Sequence, residues 1–264
     1  MKIHIDPATG GRIDSLVLEG RNILTGKDKH ETYWGSTFWA SPQKTWDSPN
    51  MEALDREPYD VSLKKDRVIL KSKKDPKTGI SFSKEISGDL LSNAFVLSYT
   101  ITNYSGNTIS IAPWEVSRVG IDGLTFFPKG TEDVWGSMEP FTIKEQGMVW
   151  FYYDAKRLPT KHNKFFSDGT DGWVAHVNDS MIFIKQFDDM LLHQAAPNEA
   201  EVEVYTNPGK TYVEVEVQGP YVVLKPRESS NWKVKWYVRK LEGLDKNSDR
   251  KKLIDFVRTE IRTQ

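Results

Sequence analysis

Between positions 201 and 226 the chain reads EVEVYTNPGKTYVEVEVQGPYVVLKP, two alternating runs joined by Thr206-Asn207-Pro208-Gly209-Lys210. Alternation is the period of a strand, and Asn-Pro-Gly is turn chemistry, so the segment predicts a β-hairpin. In its second half Val213, Val215 and Val217 share one face, which needs an apolar partner layer. Tyr212, Glu214, Glu216 and Gln218 share the other, with the two carboxylates about 7 Å apart along the strand. A solvated outer face has this pattern, and so does a strand that presents carboxylates to a ligand.

The same period recurs along most of the chain. VSLKKDRVILKSK, GISFSKEISG and NAFVLSYTITNYS alternate between breaks at Asp75-Pro76-Lys77-Thr78-Gly79 and Ser87-Gly88-Asp89. Near the start, Ile13, Leu16 and Leu18 with Ile23 and Leu24 predict a short hairpin turning near Gly20. GWVAHVNDSMIFIKQF reads as strand, Asn178-Asp179-Ser180 turn and strand. Regular strands without interleaved helical patterns indicate an all-β, mainly antiparallel sandwich. Only the tail changes period: Leu253 or Ile254, Val257 and Ile261 have helical spacing, with Asn247 or Ser248 as N-cap. The expectation is one domain over residues 1–264, with the sandwich to about 241 and a helix over about 247–263.

Lysine and arginine number 36 against 37 aspartates and glutamates, a net charge of −1, which argues against nucleic-acid or membrane partners. With no cysteine, disulfides and thiolate metal sites are excluded. Phosphate-loop, dinucleotide, nucleophile-elbow and zinc-helix motifs are absent. No close pair of histidines stands at metal spacing, and nothing in the sequence calls for a cofactor. The opening MKIHID has no apolar signal region, the pattern of a cytoplasmic chain or of one already processed.

Nine Trp, ten Tyr and twelve Phe are the unusual feature of the composition. Residues 31–60 have no clean period and set Trp34, Phe38, Trp39 and Trp46 among Ser36, Thr37, Ser41, Gln43 and Lys44. Either this loop lids the end of the sandwich and buries its own rings, or it forms a stacking wall with polar hooks for a sugar. His176 shares a face with Val174, as satisfied core histidines do. Lys164, beside Lys161 and His162, reads as part of a solvated basic loop.

Several stretches resemble the galactose mutarotase-like superfamily. The start, Gly-Gly-Arg-Ile with Leu-x-Leu-x-Gly-x-Asn-Ile-Leu, is similar to its early hairpin. Phe-Trp-x-Ser-Pro-Gln … Trp … Pro … Leu-Asp … Pro-Tyr resembles an uncharacterised bacterial branch. Gly219-Pro220, the run 221–224, Lys225-Pro226 and NWKVKWYV resemble its end. The resemblance implies a large β-supersandwich with a C-terminal helix in this chain, binding a mono- or oligosaccharide on a concave sheet face. It places Glu216 as the residue that faces the sugar, with Glu214 nearby.

In enzymes of the superfamily a Glu takes the anomeric proton while a His protonates the ring oxygen. The segment Ile111-Ala112-Pro113-Trp114-Glu115-Val116-Ser117 is similar to the one that carries a sugar-binding His, but has Trp114 there. An indole N–H does not shuttle protons at neutral pH. His176 and His193 are the remaining acid candidates. Trp34, Trp39, Gln43, Trp46, Trp114, Glu115 and Glu214 are the expected saccharide contacts. The leading expectation is a carbohydrate-binding protein. The alternatives are an aldose 1-epimerase using Glu216 and a histidine, and a polysaccharide hydrolase or lyase in which Glu214 and Glu216 share the work.

Overall fold

A computed structural model describes residues 1–45, 51–158 and 160–262. The alternating runs form two large sheets. In hydrogen-bonding order the first runs Lys2–Asp6, Arg12–Leu18, Ser36–Ser41, Ile109–Val119, Val213–Gln218, Val202–Thr206, Asn163–Ser167, Trp135–Gly136. The second runs from Thr142–Glu145 through Trp173–Asn178, Met181–Phe187 and Ser229–Lys240 to Asp60–Leu63. The pairings that build the centre of both sheets are antiparallel. The 201–226 hairpin forms as its alternation predicts, with Val202 opposite Val217 and Glu203 opposite Glu216. The early hairpin forms between Arg12–Leu18 and Arg21–Asn22.

The two inner faces make the main core. Val202, Val204, Val213, Val215 and Val217 from the first sheet meet Phe183, Val234, Trp236 and Leu97 of the second. Phe38 stacks on Tyr99 across the interface, with ring centroids 4.2 Å apart. Ser36–Ser41 is buried along its whole length. Loop composition concealed this strand, because it lies between two neighbours and has no solvent face to alternate with. The tail helix is Arg250–Arg262, starting two or three residues after the expected cap. Its Leu253, Ile254 and Val257 cover the outer face of the second sheet over Phe126, Trp150, Trp173 and Ile184. No helix among the described residues is long and apolar enough to cross a membrane.

Alternation decides the fate of two neighbours on the Ile109–Val119 strand. Trp114 and Val116 face outward, packed with Trp39. Glu115 must then face inward, and it does. Its carboxylate lies between the sheets, accepting hydrogen bonds from Tyr99 Oη at 2.6 Å and Trp236 Nε1 at 3.0 Å. It pairs with Lys185 Nζ at 3.0 Å, and Lys185 also donates to the Val215 carbonyl at 2.8 Å. The expectation that Glu115 contacts a ligand is therefore corrected: a strand cannot send adjacent side chains to the same face. Burial pushes the Lys185 ammonium below its ordinary range, against the pull of Glu115.

Leaving Lys185 buried without its carboxylate should cost about 3–5 kcal/mol in Glu115→Ala, whereas a Glu115→Met/Lys185→Met double variant should lose far less. Urea unfolding measures both. A loss below about 1 kcal/mol in the single variant would show that the pair does not hold the sheets together.

Candidate functional site

The outer face of the first sheet is laid out in rows across its strands. Register places Lys164, Tyr205, Glu214 and Arg118 in one row, and Phe166, Glu203, Glu216 and Val116 in the next. The following row continues through Gln218, Trp114 and Trp39. Directly opposed residues of an antiparallel sheet share a face, so these side chains form one surface. Above it stand Tyr33 and the short helix Glu52–Asp55. The 7–11 turn carries that helix by close backbone contact: Gly10 has φ +64°, and a Cβ there would lie 2.0 Å from the Asp55 carbonyl oxygen. Together these elements enclose a cleft of about 270 Å³.

Glu216 lies in the floor, fully buried by the protein yet lining the cleft. Its Oε2 accepts from Trp114 Nε1 at 2.8 Å and from Lys164 Nζ at 2.8 Å. Its Oε1 is buried and has no hydrogen-bond partner. Lys164 also pairs with Glu203, and its ammonium sits 4.8 Å from the centroid of the Trp114 ring. Burial pulls that ammonium down, but Glu203 and Glu216 outweigh it and hold it above the ordinary lysine range.

Glu214 pairs with Arg118 Nε at 2.8 Å. Burial, opposed by Arg118 and reinforced by the charge of Glu216, pushes its carboxyl up to about 7. Burial likewise raises Glu203, against the pull of Lys164. On the wall, Trp39 packs edge-on against Trp114 at 5.2 Å and donates to Asp55 at 2.7 Å. Tyr205 and Tyr212 complete the aromatic lining, and His162 hydrogen-bonds the Tyr205 hydroxyl at the rim.

The structure thus brings together Glu216, Glu214, Trp114, Trp39 and Gln43 of the expected contacts. Trp34 is not among them: it is buried and does not line the cleft, with Arg12 and Lys27 over its ring at 4.6 and 4.7 Å. Trp46 lies outside the described residues. His176 faces inward from the second sheet, bonded to Thr125 at 2.9 Å, and burial pushes its imidazole down to about 3. His193 is exposed on the turn Leu192–Gln194 and does not line the cleft. Neither histidine reaches Glu216.

Lys164, His162, Tyr205, Tyr212, Tyr33 and Asp55 were not anticipated. Their signal existed in part: His162, Lys164 and Phe166 alternate with buried Asn163, Phe165 and Ser167. The surrounding charges of the loop masked that period.

The family model described as Domain of unknown function (DUF4380) matches residues 1–239. The chain belongs to this family. No curated protein matches the sequence. Among solved structures, a galactose mutarotase-like protein from Lactobacillus casei superposes with TM-score 0.62 at 11% identity, covering 90% of this chain and 96% of that one. A galactose mutarotase related enzyme from Lactobacillus acidophilus gives TM-score 0.61 at 10% identity, covering 92% and 96%. A TPR-domain containing protein from Parabacteroides distasonis gives 0.66 at 15% identity over 93% of this chain and 46% of that one, so the chain spans under half its length. This DUF4380 member therefore has the galactose mutarotase-like fold.

Its pH response follows from Glu214. The carboxyl is raised from 4.5 to about 7, so the folded state binds that proton more tightly than the unfolded chain does. The resulting stabilisation is complete below about pH 4.5 and is lost as pH rises to about 7. Urea unfolding across this window should show wild type losing stability relative to Glu214→Gln. A pH-independent difference would mean that folding does not raise the Glu214 carboxyl.

Proposed function

We propose that the cleft of this DUF4380 protein binds a saccharide of about one ring. The carrying observation is Glu216 Oε1, a buried acceptor without a partner, on a residue that lines a cavity walled by Tyr33, Trp39, Trp114, Tyr205 and Tyr212. Ring faces suit the apolar C–H surface of a sugar, and a carboxylate fixed by two other bonds suits its hydroxyls. The cavity of about 270 Å³ is just under the range of about 300–1,000 Å³ typical of drug-sized ligands, which favours a monosaccharide or the end of a chain.

Binding is favoured over turnover because the donors beside Glu216 are poor acids. Trp114 does not ionise at neutral pH, and Lys164 is held charged by two carboxylates. One observation supports a second reading, aldose 1-epimerisation: the His162 imidazole lines the same cleft as Glu216. In that reaction Glu216 takes the anomeric hydroxyl proton and His162 protonates the ring oxygen as the C1–O5 bond breaks. A hydrolase reading is weaker, because Glu214 and Glu216 rise from one strand on one side of the cleft and do not flank a glycosidic bond.

Trp39→Ala should weaken saccharide affinity by about 1–3 kcal/mol, measured by calorimetry over a sugar panel. Wild type should leave anomer interconversion at its uncatalysed rate in polarimetry or NMR exchange. Acceleration that disappears in His162→Gln, with affinity retained, would establish the epimerase instead.

A further inference from the structure

The floor of the cleft holds more buried carboxylates than it has cations to balance them. Facing Glu216 are Glu214 on its own strand, Glu203 and Tyr205 from Val202–Thr206, Lys164 from Asn163–Ser167 and Arg118 from Ile109–Val119. Lys185 lies beneath the sheet but is already matched by Glu115. Glu199, hydrogen-bonded to Gln43 N and Gln218, adds another carboxylate beside Glu203. Lys164 and Arg118 thus stand against Glu203, Glu214 and Glu216, leaving the buried cluster at least one positive charge short.

A buried group of this kind either keeps a proton or takes a cation from outside. The raised carboxyls of Glu203 and Glu214 are the first solution. The second has a point of attachment. Glu216 Oε1 is buried and unpartnered, and its residue lines the cleft together with Trp114, Tyr205 and Tyr212. Aromatic faces attract cations, and a carboxylate oxygen attracts them more strongly.

We propose that the ligand is a cationic saccharide, a protonated amino sugar whose ammonium donates to the unpartnered oxygen of Glu216. This rests on the saccharide reading above and names the class of sugar. The ammonium supplies the missing charge while the ring packs on the aromatic walls. A neutral sugar leaves the proton in place and gains only a hydroxyl hydrogen bond. An acidic sugar meets the carboxylates of the floor, where Lys164 is taken by Glu203 and Glu216 and Arg118 by Glu214; among the described residues the one lining cation outside that cluster is Arg56, on the opposite wall, 3.8 Å from Asp55, a carboxylate it shares with Arg12.

The test is calorimetry on the full chain with glucosamine, galactosamine and mannosamine, beside their parent hexoses, N-acetylglucosamine and glucuronate. Runs in two buffers of different ionisation enthalpy read the protons exchanged. At least one amine should bind about tenfold or more tightly than its parent hexose, the scale of one charge-assisted hydrogen bond. Its binding should release a proton, with affinity rising as pH climbs toward about 7. N-acetylation removes the charge and should abolish the advantage.

Glu216→Gln, checked for folding by its thermal transition, should bring amine and hexose to equal affinity. Lys164→Met deepens the deficit and should enlarge the preference for the amine, an effect opposite in sign to that of Glu216→Gln. A hexose or glucuronate bound as tightly as the amines, or a preference that survives Glu216→Gln, would overturn the proposal and leave saccharide binding standing. Failure of every sugar in the panel would overturn both.

Discussion

Everything about the cleft follows from the cost of burying Glu203, Glu214 and Glu216 on one sheet face. An isolated carboxylate out of water costs several kcal/mol, so each of the three must be compensated where it stands. Lys164 reaches diagonally from its row to bridge Glu203 and Glu216, Arg118 answers Glu214, and Trp114 adds a neutral donor to Glu216. These bonds leave Glu216 with one occupied oxygen and one free. The ion pairs hold these side chains in place, and Glu216 Oε1 is left as an unmet acceptor on a residue that lines the cavity.

The interior repeats this device without a cavity. Glu115 is satisfied by Lys185, Tyr99 and Trp236 between the sheets. Lys84 is buried as well, donating to the carbonyls of Gly10 and Gly11 at 2.7 and 3.1 Å, and burial pushes it down to about 7. Those contacts tie the second sheet to the turn that carries the helix Glu52–Asp55, and so to the wall of the cleft. Buried polar links hold the layers in a fixed relation, while the valine faces supply the apolar area that drives them together.

How much of the site was legible depended on whether a residue's role is local. Glu214 and Glu216 could be placed on one face, opposite Val213, Val215 and Val217, because a strand's period is two. The same rule, applied strictly, would have separated Trp114 from Glu115. Trp34 and Trp39 looked alike in a loop of aromatics, yet Trp34 packs against Arg12 and Lys27 while Trp39 turns to Trp114. His176 was recognisable as a core histidine from Val174, and its inward face removes it from the chemistry of Glu216.

By itself the sequence determined an antiparallel sandwich, the two faces of the strand over residues 212–218, and the helix near the end of the chain. These are consequences of periodicity, which acts over a few residues. Only the tertiary structure decided which outer face is a cleft and which is sealed by the tail helix. It also decided that Lys164, and no histidine, meets Glu216. Strand order is set by pairings between segments far apart in the chain: Asn163–Ser167 lies beside Val202–Thr206, and Val213–Gln218 beside Ile109–Val119. A charge in a basic loop becomes a buried partner through that order alone, because the carboxylates that neutralise it belong to strands about 40 and 50 residues away.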